Sequence, residues 1–157
     1  MKNKKFDLEL FEETELVNFY TIRFEGNINT EFEDFLTRHK KGIFNKDMQR
    51  ISYWIDKIGK QGALERNFRP ESKMSDGVGA IPIDVSQLRL YCLRISDHIL
   101  ILGNGGCKTT KKYNEDSHLS NCVYVLSQLD RFIKARQRRN DIIIEGKIIK
   151  GYLTFFI

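Results

Sequence analysis

The chain lacks a disulfide framework, a long apolar run and a catalytic signature, and each gap removes a class of function. Its three cysteines, Cys92, Cys107 and Cys122, are odd in number, far apart and without a CxxC pair. That pattern fits a reducing, cytoplasmic setting. No uninterrupted apolar stretch approaches the roughly 20 residues that span a bilayer, so a membrane partner is not expected. The start, MKNKKFDLELFEE, carries charge but no apolar run of a signal peptide. His39, His98 and His118 have no metal-ligand spacing and no Cys/His set beside them, so neither a metal nor another cofactor is expected. Adjacent acids such as Glu12-Glu13 and Glu115-Asp116 sit beside expected caps or turns, with nothing that ties them to glycosidase-type chemistry.

What is present is an ordinary globular composition with a basic bias. Hydrophobic residues make up 41% and charged residues 30% of 157 positions, enough for one domain over 1–157 with a real core. The net charge of +5 favours an anionic partner, nucleic acid or an acidic protein.

Periodicity then gives the order of elements. Residues 1–15 read as an arm or an edge strand, and 16–25 (LVNFYTIRFE) as a first full strand. Thr30 and Glu33 form a T-x-x-E capping box that opens a helix burying Phe32, Phe35 and Leu36. Arg38, His39, Lys40 and Lys41 crowd its C-terminal end, where the helix dipole favours cations, before Gly42. A second helix is expected from Asn45 to Ile58, broken by Gly59 and Gly62. Residues 63–79 read as a turn-rich connection with a short strand near Phe68, and 80–85 as a strand that Pro82 demotes to an edge or bulge. Strands at 88–95 and 99–102 pair through Ser96-Asp97-His98, and Gly103–Gly106 reads as a tight turn that ends the second. A helix from about Ser117 to Arg138 should bury Leu119, Val123, Leu126, Leu129 and Ile133, and 142–157 adds one or two strands. The class is α+β, with helices on a mostly antiparallel sheet.

The chemistry must be sought in positive charge. The run Gly103-Asn104-Gly105-Gly106-Cys107-Lys108-Thr109 fails as a phosphate-binding P-loop, because Cys107 stands where glycine must precede the lysine. Lys108, Lys111, Lys112 and Tyr113 form the best cluster, with the lysines as phosphate ligands and the tyrosine for stacking or proton transfer. A solvated basic loop explains them equally well. Arg131, Lys134 and Arg138 repeat at helical spacing, either as an RNA-binding stripe or as a polar outer face. Arg89 and Arg94 differ in parity within one strand and so point to opposite faces unless a bulge intervenes. A phosphate contact or a salt bridge to Asp84 or Glu115 suits either. Among the histidines only His98, in a turn near the lysines, is retained as a candidate for proton transfer, against a structural or incidental role that the pattern favours.

These residues in this order resemble the RelE/ParE toxin superfamily, particularly its HigB-like, phage-associated branch. The resemblance covers roughly residues 17–135 and rests on FYTIRFEG, NTEFEDFLTRH, the second helix, LRLYCLRI, HILILGNGG and CKTTKKYNED. It implies a helical hairpin on a small twisted antiparallel sheet in a 16–138 core, with 142–157 as an added C-terminal strand region. It also implies a ribosome-dependent mRNA endonuclease of a toxin–antitoxin pair, with mRNA, the ribosome and a cognate antitoxin as partners. In such enzymes a ribose 2′-hydroxyl attacks the adjacent phosphate without a metal. Arg89 or Arg94 resembles the family's sheet arginine, Lys108, Lys111 and Lys112 its post-strand lysines, and Tyr113 and His98 its proton-transfer groups. Other members inhibit DNA gyrase without cutting RNA, and the same fold also serves as a catalytically silent interaction module. The connection at 63–86 and the C-terminal strands depart from the family pattern.

Overall fold

A computed structural model describes residues 4–40, 42–70, 77–81, 87–109 and 116–157. The N-terminal segment forms β1 (Lys5–Glu13), whose Phe6 and Leu8 point inward at period two. It pairs antiparallel with β2 (Asn18–Phe24), the aromatic and β-branched run. The capping box then starts α1 (Glu31–His39). The Glu33 amide donates to the Thr30 hydroxyl at 3.2 Å, and the Thr30 amide to the Glu33 carboxylate at 2.9 Å. His39, expected among the terminal cations, is instead buried, with its Nδ1 2.9 Å from the Phe35 carbonyl. Burial lowers its pKa.

The second helix, α2 (Asn45–Gln61), outlasts its expected end by three residues because Gly59 stays helical. The Leu16 amide and the Thr14 hydroxyl both donate to the Gly59 carbonyl, and a Cβ on Gly59 would lie 2.8 Å from Thr14 Oγ1. That glycine marks a close crossing of chain segments. The true stop is Gly62, at φ +104°.

Two short strands follow, β3 (Arg69–Pro70) and β4 (Val78–Ala80), then the long antiparallel pair β5 (Leu88–Ser96) and β6 (Ile99–Cys107). The last helix, α3 (Ser117–Arg138), occupies the expected range and buries all five expected residues. The C-terminal segment uses both of its glycine turns to make β7 (Ile142–Glu145), β8 (Ile148–Gly151) and β9 (Thr154–Phe156).

The fold is α+β. The main sheet has the order β3-β4-β5-β6-β2-β1-β9 and is antiparallel except where β2 and β6 run parallel; β7 and β8 form a separate ribbon. Because β9 adds to β1, the expected edge strand is interior, and the C-terminal strand takes the edge instead. Apolar groups fill both faces. Phe32, Phe35, Met48, Ile51 and Ile58 of the first two helices meet Leu88, Leu90, Leu100 and Leu102 on one side. Leu119, Val123, Leu126 and Leu129 of α3 meet Tyr91, Leu93, Ile99 and Ile101 on the other. Among the described residues no helix is long and apolar enough to cross a membrane.

Candidate functional site

The expected glycine turn is strand. Extended backbone runs through Gly103, Asn104, Gly105 and Gly106 to Cys107, and none of these glycines has positive φ. Their small size serves close packing. A Cβ on Gly105 would sit 1.8 Å from the Arg89 carbonyl oxygen, and one on Gly103 3.0 Å from both the Tyr91 carbonyl and a Leu126 methyl. The register with β5 shifts between Leu90 and Cys92, where β6 carries one extra residue. An extended strand cannot wrap a phosphate in the manner of a P-loop.

This shift builds the site. The parallel ladder with β2 ends at Thr21↔Leu102, and β6 continues beyond it. On the α1 side, Asn104 Oδ1 accepts from Arg38 Nη2 at 2.5 Å and from the Gly105 amide at 2.8 Å, while its Nδ2 donates to Asp34 Oδ2 at 2.9 Å. Arg38 Nε donates to the same Asp34 oxygen at 2.9 Å. The Gly105 carbonyl accepts from Arg38 Nη2 at 2.9 Å, and His118 Nε2 of α3 lies 2.8 Å from it. A carbonyl only accepts, so Nε2 carries a proton, and in the neutral form of the ring Nδ1 holds the lone pair. The His118 placement follows from the cap, since Asp116 accepts from the His118 and Leu119 amides and fixes the first turn.

Two carboxyl groups in this cluster are driven apart. Burial raises the pKa of half-buried Glu31, against the lowering pull of Asn104, His118 and Arg38. Burial also acts to raise Asp34, but hydrogen bonds from Asn104 and Arg38, with the charges of Arg38 and His118, outweigh it and leave the pKa lowered. One acid held toward its neutral form beside one held ionised is an arrangement that separates proton donor from charge partner.

The expected site residues are divided by the sheet. Lys108 lies at this end, its amide donating to the Gln87 carbonyl at 2.6 Å, and Arg89 stands opposite Gly106 on the α3 side with Tyr91 and Leu93. Arg89 Nη1 donates to the Leu88 carbonyl. Arg94 and His98 lie at the other end of the hairpin, separated from Lys108 by about 30 Å of strand at about 3.3 Å per residue. Arg94 Nε donates to the Ala63 carbonyl at 2.7 Å and Nη2 pairs with Asp97 at 2.6 Å. His98 Nδ1 sits 2.9 Å from the Leu16 carbonyl, joining the turn to the start of β2. The register shifts twice along this pair, with the extra residue on β6 between Leu90 and Cys92 and on β5 between Arg94 and Ser96. Lys111, Lys112 and Tyr113, with Asp84 and Glu115, fall outside the described residues.

Along α3 the basic stripe splits. Arg131 and Arg138 are exposed, whereas Lys134 pairs with buried Asp130 at 2.8 Å. Arg136, between Lys134 and Arg138 on the same helix, is structural. Its guanidinium carbon lies 4.3 and 4.2 Å from the Tyr152 and Phe155 ring centres, and Nη1 donates to the Tyr152 and Thr154 carbonyls. This contact ties the C-terminal strands to the helix.

Sequence reasoning missed Glu31, Asp34, Asn104 and the role of His118, and read Arg38 only as a helix-end charge. The capping box that starts α1 was the one local signal. The contacts join residues 66 to 70 positions apart, which no spacing rule reaches. Comparisons with family models, curated proteins and solved structures find no match to this chain.

Proposed function

We propose that the chain is a RelE/ParE-like, toxin-type protein that binds RNA and cleaves it at the β6 exit. The observation that carries this reading is the convergence of Arg38 and His118 on the Gly105 carbonyl, with Glu31 and Asp34 beside them and Lys108 just beyond the end of the same strand. The pair α1 and α2 on one face of a mostly antiparallel sheet supports the family resemblance.

The division of labour follows from each group's state. His118 Nδ1 accepts the proton of a ribose 2′-hydroxyl as that oxygen attacks the adjacent phosphorus. Arg38 and Lys108 stabilise the charge that grows on the phosphoryl oxygens, Arg38 being held in place by Asp34 and Asn104. Glu31, biased toward its protonated form, donates to the departing 5′-oxygen. The new 2′-O–P bond and the broken P–O5′ bond leave a 2′,3′-cyclic phosphate and a 5′-hydroxyl. In this assignment His118 replaces His98, and Arg38 takes the part expected of a strand arginine. The 108–112 lysines supply phosphate contacts, and an antitoxin covering this end would block it.

Inducing the wild type and a Lys108/Lys111/Lys112 triple alanine variant, then mapping RNA 5′ ends, tests the proposal. Growth arrest with discrete cuts, both lost in the variant, supports it. Arrest with intact mRNA and altered supercoiling assigns the chain to the gyrase-inhibiting type, and no phenotype assigns it to the silent modules.

A further inference from the structure

A second place in the fold gathers charges that the RNA reading does not use. Between β4, the end of β5 and the C-terminal half of α3 lies a cavity of about 260 Å³. It is some 20 Å from the Gly105 cluster, counting residues along β6 at about 3.3 Å each. Its apolar wall includes Val78, Ile95 and Ile133; its charged groups among the described residues are Arg94, Lys134, Asp130 and Glu65.

Each charge is set differently. Arg94 is oriented by Ala63 and Asp97 through Nε and Nη2, which leaves Nη1 with no acceptor among the described residues. A guanidinium fixed along one edge presents a preset donor to a carboxylate. Asp130 is 5% exposed, and the Lys134 side chain that pairs with it is 48% exposed. An ionised carboxylate has two oxygens and about four acceptor positions, so Asp130 can take a ligand ammonium while keeping the partners it has. Among the described residues the lining carries two cations and two acids, which disfavours a polyanion and suits a ligand carrying one charge of each sign. The volume falls just below the range of about 300–1,000 Å³ typical of drug-sized ligands, so the ligand is small.

We propose that this cavity binds a small zwitterion, an aliphatic α-amino acid. Its carboxylate faces Arg94, its ammonium faces Asp130 and Glu65, and its side chain lies on Val78, Ile95 and Ile133. This site is independent of the RNA-cleaving reading and stands if that reading fails.

Titrating the ¹⁵N-labelled full chain with L-leucine, L-leucine amide, 4-methylpentanoate and L-lysine tests it. The expected result is saturable amide shifts at Gly77, Gly79 and Ile133 with L-leucine. Affinity should drop about 10–100-fold for the amide and for 4-methylpentanoate, each lacking one charged partner. L-lysine should bind no better than the two controls, because its ammonium tail would enter the apolar wall. Asp130→Asn should weaken L-leucine but not 4-methylpentanoate; the wild-type ligand series decides the matter if that variant does not fold. Absence of saturable shifts with L-leucine up to about 10 mM, equal binding of all four compounds, or shifts confined to other residues overturns the proposal.

Discussion

Arg38 and His118 reach one acceptor, the Gly105 carbonyl, from helices packed on opposite faces of the sheet, at 2.9 and 2.8 Å. The sheet admits this because β6 outruns its parallel ladder with β2, which ends at Leu102. Asn104 reinforces the arrangement by joining Arg38 to Asp34 while holding the Gly105 amide. A backbone irregularity thus brings two helices' polar groups to one point.

Gly105→Ala measures how tightly this point is built. A Cβ there would fall 1.8 Å from the Arg89 carbonyl oxygen, which forces backbone to move. Urea unfolding should register a loss of about 3 kcal/mol or more, at the upper end for overpacking. Gly26→Ala, where a Cβ meets nothing within 4 Å but φ is +88°, should cost only the smaller strain of that backbone, about 1–2 kcal/mol.

The two carboxyl groups predict opposite pH effects. Glu31 has a raised pKa, so between the ordinary Glu value and its folded value the native state holds the extra proton, and stability falls as pH rises through that window. Glu31→Gln should therefore match the wild type in acid and gain on it above that window. Asp34 has a lowered pKa, so it contributes stability above the ordinary Asp value that is lost as pH falls through the folded value. Asp34→Asn should be weaker than the wild type near neutrality, with the gap closing in acid. Denaturant midpoints from pH 3 to 8, read at about one-unit steps, check both signs.

Native thiol labelling should separate the three cysteines. Burial pushes the Cys122 thiol up to about 12 and drives Cys92 higher still. Cys107 is half-exposed at the end of β6. Brief iodoacetamide treatment followed by peptide mass mapping should modify Cys107 alone, with Cys92 and Cys122 reacting only in denaturant. Fast native labelling of Cys122 would contradict its burial on the inner face of α3.

Phosphate contact by Lys108 should appear in the salt dependence of binding to single-stranded RNA. Removing one such contact should weaken binding to all sequences alike and reduce the log–log slope by about 0.7. An unchanged slope for Lys108→Ala would place that lysine outside the RNA path.

The elements were legible where local chemistry decides them. Thr30 and Glu33 announce α1, and the Leu119, Val123, Leu126, Leu129 and Ile133 stripe gives α3 its range. The glycines misled, in two directions. Gly103 to Gly106 read as a turn but serve as strand positions without room for a Cβ, and Gly59 read as a helix stop but lies under Thr14. Both depend on what packs against them, which sequence does not state. The site failed for a related reason. His98 and Lys108 flank one strand and look close in sequence, yet a nine-residue strand holds them apart. Arg38, Asn104 and His118 look unrelated and are brought together by the register of β6 and the cap at Asp116.

The central claim is most directly tested by incubating RNA, with and without ribosomes, with the wild type and His118→Ala and analysing the new ends. The account predicts 2′,3′-cyclic phosphate and 5′-hydroxyl ends from the wild type. It predicts a cleavage rate about 10²–10⁴-fold lower in the variant, the usual span for a general base, with urea stability within about 1.5 kcal/mol of the wild type. Unchanged cleavage in a folded His118→Ala protein, or no cleavage by the wild type under either condition, would contradict it.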